Sequence, residues 1–206
     1  MKKFVKLMLM SLLSVVISIS VFAKNNVIYV GTNAEFAPFE YLDKNKIVGF
    51  DIDLLDAISK ETGLEFKIQD MAFDGLLPAL QTKKVDMVIA GMTATPERQK
   101  AVAFSKPYFK AKQVVITKGV DKSLKSFKDL AGKKVGVMLG FTGDTVVSEI
   151  KGVKVERFNA AYAAILALSQ NKIDAVVLDY EPAKKYTANN KQFVIANIPA
   201  EEEDYA

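Results

Sequence analysis

The order of apolar and polar stretches predicts two similar α/β units. Residues 77–91 and residues 165–179, 88 positions apart, share one pattern: the end of a helix, a polar turn, an Asp and a short apolar strand. Strand, loop, helix, strand, helix, strand occurs twice along the chain, which predicts α/β lobes with mostly parallel sheets flanked by helices. Polar groups follow the matching strands, so we expect two lobes that face one cleft.

Capping residues indicate where the predicted helices begin and end. Asp51 is a candidate N-cap for the first helix, and Gly63 is its expected end. Thr95 and Pro96 have the residue types expected at the N-cap and at the first position of a later helix. The N-terminus of the later helix follows a predicted strand end.

A break in the pattern near residues 108–113 predicts the boundary between the lobes. We therefore expect lobe 1 at residues 24–110, lobe 2 at residues 111–200, and the start of a return crossover at residues 201–206.

The first 23 residues have the pattern of a secretory signal peptide. A basic start at residues 2–6 precedes an apolar run of about 15 residues, and the small residue Ala23 suits cleavage before Lys24. The apolar run is shorter than the ~20 residues that cross a bilayer. We therefore expect a periplasmic or secreted protein that is soluble after cleavage. Removing the leader with its three lysines lowers the net charge from +4 to +1.

The composition excludes several functional classes. The chain has no Cys and no His, so its fold must rest on its core without disulfides, and no Ser-His-Asp or Cys-His catalysis is available. A transition-metal site is disfavoured for the same reason. A net charge near +1 predicts no nucleic-acid partner. We expect no cofactor, no metal and no catalytic residue.

Two charged residues are the strongest candidates for ligand binding. Arg98 lies in the first turn of a predicted helix, where its guanidinium could hold a carboxylate, although a surface Arg after a good cap fits equally well. Gly91 would let a ligand approach the backbone, and Thr93 adds a hydroxyl. Asp179 ends the matching strand of the other unit, where it could accept from an ammonium group or cap the next segment.

Aromatic and polar residues of the neighbouring loops are weaker candidates. Phe36 and Phe73 lie at strand ends and could enclose a small side chain, or they could be core residues. The loop at residues 140–143 lacks the Lys and the spacing of a phosphate loop, which disfavours a nucleotide. Thr142 in that loop could still meet a carboxylate. Further polar candidates for the far end of a ligand are Asn33, Glu35 and Asp74.

Taken together, these segments resemble a known family. Six segments carry the resemblance by their order and spacing: residues 31–40, 49–54, 86–98, 104–108, 135–144 and 174–179. They resemble the solute-binding proteins of polar amino-acid ABC importers, the glutamine-, histidine- and arginine-binding group. The resemblance implies a two-lobed clamp, no enzyme activity, a free amino acid and an ABC permease as partners, and a monomer. It implies a ligand site formed by Asn33, Glu35, Phe36, Phe73, Asp74, Ala90, Gly91, Met92, Thr93, Arg98, Met138, Thr142 and Asp179.

The resemblance also implies a role for each group. Arg98 would pair with the α-carboxylate, helped by Thr93 and Thr142, and Asp179 would take the α-ammonium with the Gly91 carbonyl. Phe36 and Phe73 would stack on the ligand side chain. The remaining residues would influence selectivity: Glu35 and Asp74 favour a cationic side chain such as arginine or lysine, whereas Asn33, where some relatives have Asp, leaves glutamine and histidine open.

Two departures from the family pattern accompany this interpretation. Phe141 stands where the family often has Thr, and the chain ends at Ala206, about where family members cross back to the first lobe. We therefore expect either a fragment or a protein whose first lobe lacks its C-terminal part. Two other functions stay open at this point: an enzyme like the cyclohexadienyl dehydratase of the same fold, with Glu35 or Asp74 as the acid, and a sensory module.

Overall fold

The structure, a computed structural model, describes residues 27–206. The signal peptide predicted at residues 1–23 lies outside the described part. The strands are β1 (Val27–Thr32), β2 (Glu35–Phe36), β3 (Glu40–Asp43), β4 (Lys46–Val48), β5 (Glu65–Asp70), β6 (Met87–Val88), β7 (Phe109–Lys118), β8 (Lys134–Met138), β9 (Lys154–Phe158), β10 (Ala175–Asp179), β11 (Phe193–Ile195) and β12 (Glu201–Tyr205). The helices are α1 (Phe50–Thr62), α2 (Leu76–Gln81), α3 (Pro96–Ala101), α4 (Thr142–Ser148), α5 (Ala161–Ser169) and α6 (Tyr180–Asn189), with 3₁₀ turns at Phe73–Gly75 and Phe127–Leu130.

The first lobe has a parallel three-stranded sheet in the order β5-β1-β6. Helix α1 ends as predicted at Gly63, which has the left-handed conformation of a C-cap with φ of 70°. The prediction of Asp51 as the N-cap is wrong, because Gly49 occupies that position. Asp51 lies two positions later, in the first turn of α1, where it is fully buried and its carboxylate accepts from the Gly91 N–H at 2.9 Å. Its charge therefore orders the end of β6 instead of the start of α1.

A small antiparallel sheet of β2, β3 and β4 follows β1. Its short strands have little apolar alternation, which explains why the pattern did not reveal them. Phe36 and Glu40 pair across β2 and β3, and both are fully buried. This sheet thus brings an aromatic ring and a carboxyl group to the interior beside the end of β1.

The second lobe has a mixed six-stranded sheet. The order is β11-β7-β10-β8-β9, and β12 also pairs with β7. Strands β8, β9 and β10 are parallel as predicted, whereas β7 pairs in the antiparallel sense with β10, β11 and β12. On one face, Val115, Val135 and Val177 form part of an apolar core, and α5 covers the other face with buried Ala and Leu side chains.

Equivalent Asp residues support the internal similarity of the two lobes. Asp86 accepts from the backbone N–H of Tyr29 at 2.9 Å, and Asp174 accepts from that of Lys134 at 2.7 Å. Each Asp precedes one strand and binds its parallel neighbour, so both lie at the opposite end of these strands from Gly91 and Asp179. The repeated pattern therefore corresponds to a repeated structural role.

Two antiparallel strands run between the lobes. The first half of β7 pairs with β12, from Phe109 opposite Tyr205 to Gln113 opposite Glu201. Beyond β12, the Ala206 N–H donates to the Met92 carbonyl at 3.0 Å, and Tyr205 also bridges Thr93. The acidic segment at residues 201–206 is thus a strand that links the second lobe to the first. Within residues 27–206, no helix combines the length and the apolar character needed to cross a bilayer.

Candidate functional site

Arg98 spans the gap between the lobes. Thr95 caps α3 as predicted, and its hydroxyl accepts from the Arg98 backbone N–H at 3.3 Å, which fixes the first turn. The guanidinium Nη1 donates to the Thr93 carbonyl at 2.8 Å, and Nη2 donates to the Gly140 carbonyl of the second lobe at 2.8 Å. Burial lowers the pKa of Arg98, while the nearby Glu203 and Asp179 carboxylates oppose that shift. Arg98 is therefore not a free surface residue.

Asp179 lies on the opposite side of the same region. It is only 3% exposed and occupies the N-cap position of α6, but its side chain makes no capping hydrogen bond. Its carboxylate instead accepts from the Tyr205 hydroxyl at 2.5 Å. Burial raises its pKa well above the ordinary value, and Glu203 raises it further. Of the two sequence interpretations, the structure disfavours the helix cap.

Glu203 and Gln113 belong to the site but were missed by the sequence analysis. The Thr93 hydroxyl donates to Glu203 Oε2 at 2.7 Å, and Gln113 Nε2 donates to Glu203 Oε1 at 2.6 Å. Gln113 Nε2 also donates to the Thr142 hydroxyl at 3.1 Å. This chain of hydrogen bonds connects the first lobe to the second through β12. A signal existed in Gln113, a polar residue directly before the apolar residues 114–116 of β7, whereas Glu203 resembled its acidic neighbours.

The predicted aromatic residues come together with a third ring. Phe36 and Phe73 are 0% and 7% exposed, and both contact Phe141 from the second lobe. The centroid of Phe141 lies 3.8 Å from that of Phe73 in a stacked arrangement and 5.3 Å from that of Phe36. Arg98 covers Phe73, with its Cζ 5.3 Å from the ring centroid. We call Phe36 and Phe73 the aromatic pair.

The segment after β6 forms the floor of the region. Gly91 has φ of +50°, and a Cβ there would lie 2.8 Å from the Phe36 ring, so both the conformation and the space require glycine. Ala90 and Met92 are buried in the apolar cluster that also contains Met138 of the second lobe. These residues therefore pack the two lobes together beneath the charged groups.

The polar loop residues have different surroundings. Asn33 is 4% exposed; its Nδ2 donates to the Met71 carbonyl at 3.0 Å, while its Oδ1 has no donor among the described residues. Asp74 is exposed beside Gly140. Glu35 is also exposed, and it lines a separate cavity of about 240 Å³ with Pro182, Lys185 and Tyr186 of α6. None of the other predicted site residues lines that cavity.

A buried acid pair supports the floor. Glu40 is fully buried, and burial together with the neighbouring Asp51 raises its pKa well above the ordinary value. The Asp51 carboxylate accepts from Gly91 and, at 3.1 Å, from the Tyr108 hydroxyl, although burial raises its pKa as well. Neither oxygen of Glu40 has a donor among the described residues. If Glu40 is protonated, its O–H can donate to the Asp51 carboxylate, and both buried groups then have a partner.

The arrangement suits a small molecule that carries both charges. A guanidinium from the first lobe and a buried carboxylate from the second lie close enough to interact, and the hydroxyl groups of Thr93 and Thr142 are joined to the same region through Glu203 and Gln113. Within residues 27–206, no three acidic side chains are grouped as a metal site would require. Binding of a zwitterion is therefore the chemistry that these groups support.

The fold is that of the two-lobed class of solute-binding proteins. The chain belongs to the bacterial extracellular solute-binding proteins, family 3, whose model matches residues 28–160. This confirms the family and the fold class expected from the sequence motifs.

Relatives and solved structures have consistent names. The chain is 40% identical over 165 residues to a probable histidine-binding protein of Campylobacter jejuni, covering 80% of this chain and 64% of the relative. It is 39% identical over 179 residues to the arginine-binding extracellular protein ArtP of Bacillus subtilis, covering 84% and 70%. The chain thus spans about two thirds of the length of these relatives.

Among solved structures, the arginine-bound truncated arginine-binding protein of T. maritima is 48% identical with a TM-score of 0.82, covering 87% of this chain and 86% of that one. An ancestral arginine-binding protein bound to glutamine is 45% identical with a TM-score of 0.81, covering 87% and 82%. These proteins are named for binding, and none of the names denotes an enzyme.

Proposed function

We propose that this chain binds a free polar amino acid outside the cytoplasm and delivers it to the permease of an ABC importer. The ligand class follows the names of the relatives, which bind arginine or histidine. In this proposal residues 1–23 direct export, lobe 1 comprises residues 24–110, lobe 2 residues 111–200, and residues 201–206 begin the return to lobe 1. The exported protein acts as a soluble monomer.

One observation carries the proposal: Arg98 and Asp179 come from opposite lobes and share one buried region. Arg98 binds the Thr93 carbonyl, the Thr93 hydroxyl binds Glu203, and Glu203 lies against Asp179. The two charges are 81 positions apart in the sequence, so only the closed fold brings them together. An amino acid carries the complementary charges at a short, fixed separation.

In the proposed complex, Arg98 pairs with the α-carboxylate, and Thr93 and Thr142 add hydroxyl donors. Asp179 accepts from the α-ammonium with the Gly91 carbonyl. Burying a zwitterion requires a partner at each end, because an unpaired buried charge is very costly. The Arg98 side chain retains N–H groups beyond the two that bind Thr93 and Gly140, since a guanidinium has five.

The ligand side chain is proposed to be cationic, with arginine or lysine preferred over glutamine and histidine. Among the described residues, the buried Oδ1 of Asn33 has no donor, and an unpaired buried polar atom is costly. Asp74, beside Gly140, offers an exposed carboxylate. A guanidinium or ammonium group supplies such donors and also stacks favourably on aromatic rings such as Phe36 and Phe73.

Ligand binding is coupled to closure of the lobes. Residues from both lobes must contact the ligand at once, so a ligand stabilises the closed state by its differential affinity for that state. The contact of Arg98 with the Gly140 carbonyl exists only when the lobes are together. The closed shape is then the form that the permease recognises.

Arg98→Ala and Asp179→Asn test this proposal. Removing one partner of a buried charge pair costs about 2–5 kcal/mol, so each variant should bind arginine roughly 30-fold or more weakly than the unaltered protein. Titration calorimetry with each of the common amino acids measures the affinities and identifies the ligand.

Matched controls separate the site from general effects of charge. Lys100→Ala removes an exposed cation from the same helix as Arg98, and Asp174→Asn alters a carboxylate at the other end of the strand that bears Asp179. Both controls should bind like the unaltered protein. Unchanged affinity in Arg98→Ala or in Asp179→Asn would remove that residue from the site and contradict the bridging arrangement.

A further inference from the structure

The aromatic pair is already occupied by a ring of the protein itself. Phe141 is 5% exposed, stacks on Phe73 at 3.8 Å between centroids and lies 5.3 Å from Phe36. Phe36 and Phe73 belong to the first lobe, whereas Phe141 follows β8 in the second. The stack is therefore a contact between lobes, and it forms where the proposed function places the ligand side chain.

Local structure does not account for a phenylalanine at this position. Phe141 is the N-cap residue of α4, with φ of −75° and ψ of 163°, and its side chain makes no capping hydrogen bond. Ser, Thr, Asp and Asn are preferred at N-caps because their side chains accept from free N–H groups of the first turn. The ring contributes nothing to the cap, and its contacts lie with the aromatic pair and the buried apolar cluster.

We propose that Phe141 is a specificity-determining residue that acts as an internal competitor for the side-chain subsite. This inference rests on the proposed function, since it assigns the subsite of that same ligand. A ligand with a long side chain must displace the Phe141 ring before its own side chain can stack on Phe36 and Phe73. A ligand with a short side chain binds at the charged end and leaves Phe141 in place.

The adjacent backbone contact reinforces this coupling. Gly140, next to Phe141, accepts from Arg98 Nη2 at 2.8 Å, so one loop contacts both the carboxylate-binding group and the aromatic pair. The apparent affinity for a long ligand is reduced by the fraction of molecules in which the subsite is open. If that fraction is about one tenth, removing the ring strengthens binding about tenfold.

Phe141→Ser tests the inference, because serine empties the subsite and suits the N-cap. The ratio of arginine affinity to alanine affinity, measured by titration calorimetry, should rise about tenfold or more relative to the unaltered protein. Phe141→Leu fills the space partly and should give an intermediate ratio. Thermal melting followed by circular dichroism shows whether Phe141→Ser folds. If it does not, Phe141→Leu serves as the test variant in its place.

Phe127→Ala is the matched control. Phe127 is a buried phenylalanine of the same lobe, 6% exposed, in the separate core that contains Val115 and Leu130. It should leave the affinity ratio unchanged whatever its effect on stability.

The outcomes distinguish this inference from the proposed function. Arginine binding by the unaltered protein, with an equal or lower affinity ratio in Phe141→Ser, would overturn the inference alone and make Phe141 a wall of the ligand site. Failure of the unaltered protein and of Phe141→Ser to bind any amino acid would overturn the proposed function and this inference together.

Discussion

At the scale of single residues, the buried carboxyl group of Glu40 has a consequence for stability. Its pKa is raised well above the ordinary 4.5, first by burial and then by the neighbouring Asp51. The folded state therefore holds the proton more tightly than the unfolded chain. The stabilisation is complete below the unfolded pKa and is lost as the pH rises through the folded pKa.

We predict that Glu40→Gln is less sensitive to pH than the unaltered protein, because the amide keeps the shape of the protonated acid and cannot ionise. Melting temperatures between about pH 5 and pH 8 should fall for the unaltered protein and fall less for the variant. Glu61→Gln, an exposed position on α1, is the control and should follow the unaltered protein. Parallel pH profiles for Glu40→Gln and Glu61→Gln would contradict a protonated Glu40.

Single residues also show why sequence reasoning succeeds at some positions and fails at others. Arg98 follows β6 in the first lobe and Asp179 ends β10 in the second, and each is a charged residue beyond or at the carboxyl end of a strand, where ligands bind in such folds, so both could be chosen as candidates from the sequence. Asp51 also had the expected type and position for a cap, yet its carboxylate turns inward to Gly91. The competing partner was 40 positions away, and no local pattern reports a contact at that separation.

At the scale of elements, helix α3 depends on its cap to present Arg98. The Thr95 hydroxyl accepts from the Arg98 N–H at 3.3 Å, and α3 has only six residues. A short helix has little stability of its own. Its first turn must therefore be held by this side chain and by contacts of the guanidinium.

We predict that Thr95→Ala lowers the free energy of unfolding by about 1 kcal/mol and weakens ligand binding, because the first turn loses its capping acceptor. Urea denaturation and titration calorimetry measure the two effects. Thr62→Ala is the control, since that exposed hydroxyl binds the Ile58 carbonyl near the end of α1 and caps no N-terminus. A Thr95→Ala protein with unchanged arginine affinity would show that Arg98 is positioned without the cap.

Elements that are rich in apolar residues can be recognised in the sequence, whereas elements without them cannot. The apolar residues of β1 and β8 and the alternation in β5 are typical of strands. β12 consists of Glu, Asp and a single Tyr, so its sequence resembles a solvated tail. It is a strand because β7 offers a backbone edge that it can pair with, and pairing of this kind leaves no trace in the local sequence.

At the scale of the whole molecule, the paired strands β7 and β12 connect the two lobes. The site groups lie on both sides of them, and Glu203 projects from β12 itself. Two contacts join the lobes directly, that of Arg98 with Gly140 and that of Phe73 with Phe141, and under the proposed function lobe closure would form both together. A ligand that contacts both lobes shifts the balance towards this compact form.

We predict that saturating arginine lowers the radius of gyration of the protein in small-angle X-ray scattering. The physical reason is the added stability of the closed state, in which both charges of the ligand have partners. Asp179→Asn should show no such change at the same arginine concentration. Equal radii with and without arginine, in a protein that binds arginine by calorimetry, would contradict the coupling of binding to closure.

The position of Phe141 at the start of α4 has an evolutionary consequence. Either phenylalanine codon becomes a serine codon through a change of its second base, and serine is favoured by the backbone at this site. A gain of hydrogen bonding at the helix and a wider ligand range would thus arise in the same mutational step. If Phe141 nevertheless persists in a population, its persistence would indicate selection for a narrow range of ligands, because the serine variant is only one base change away.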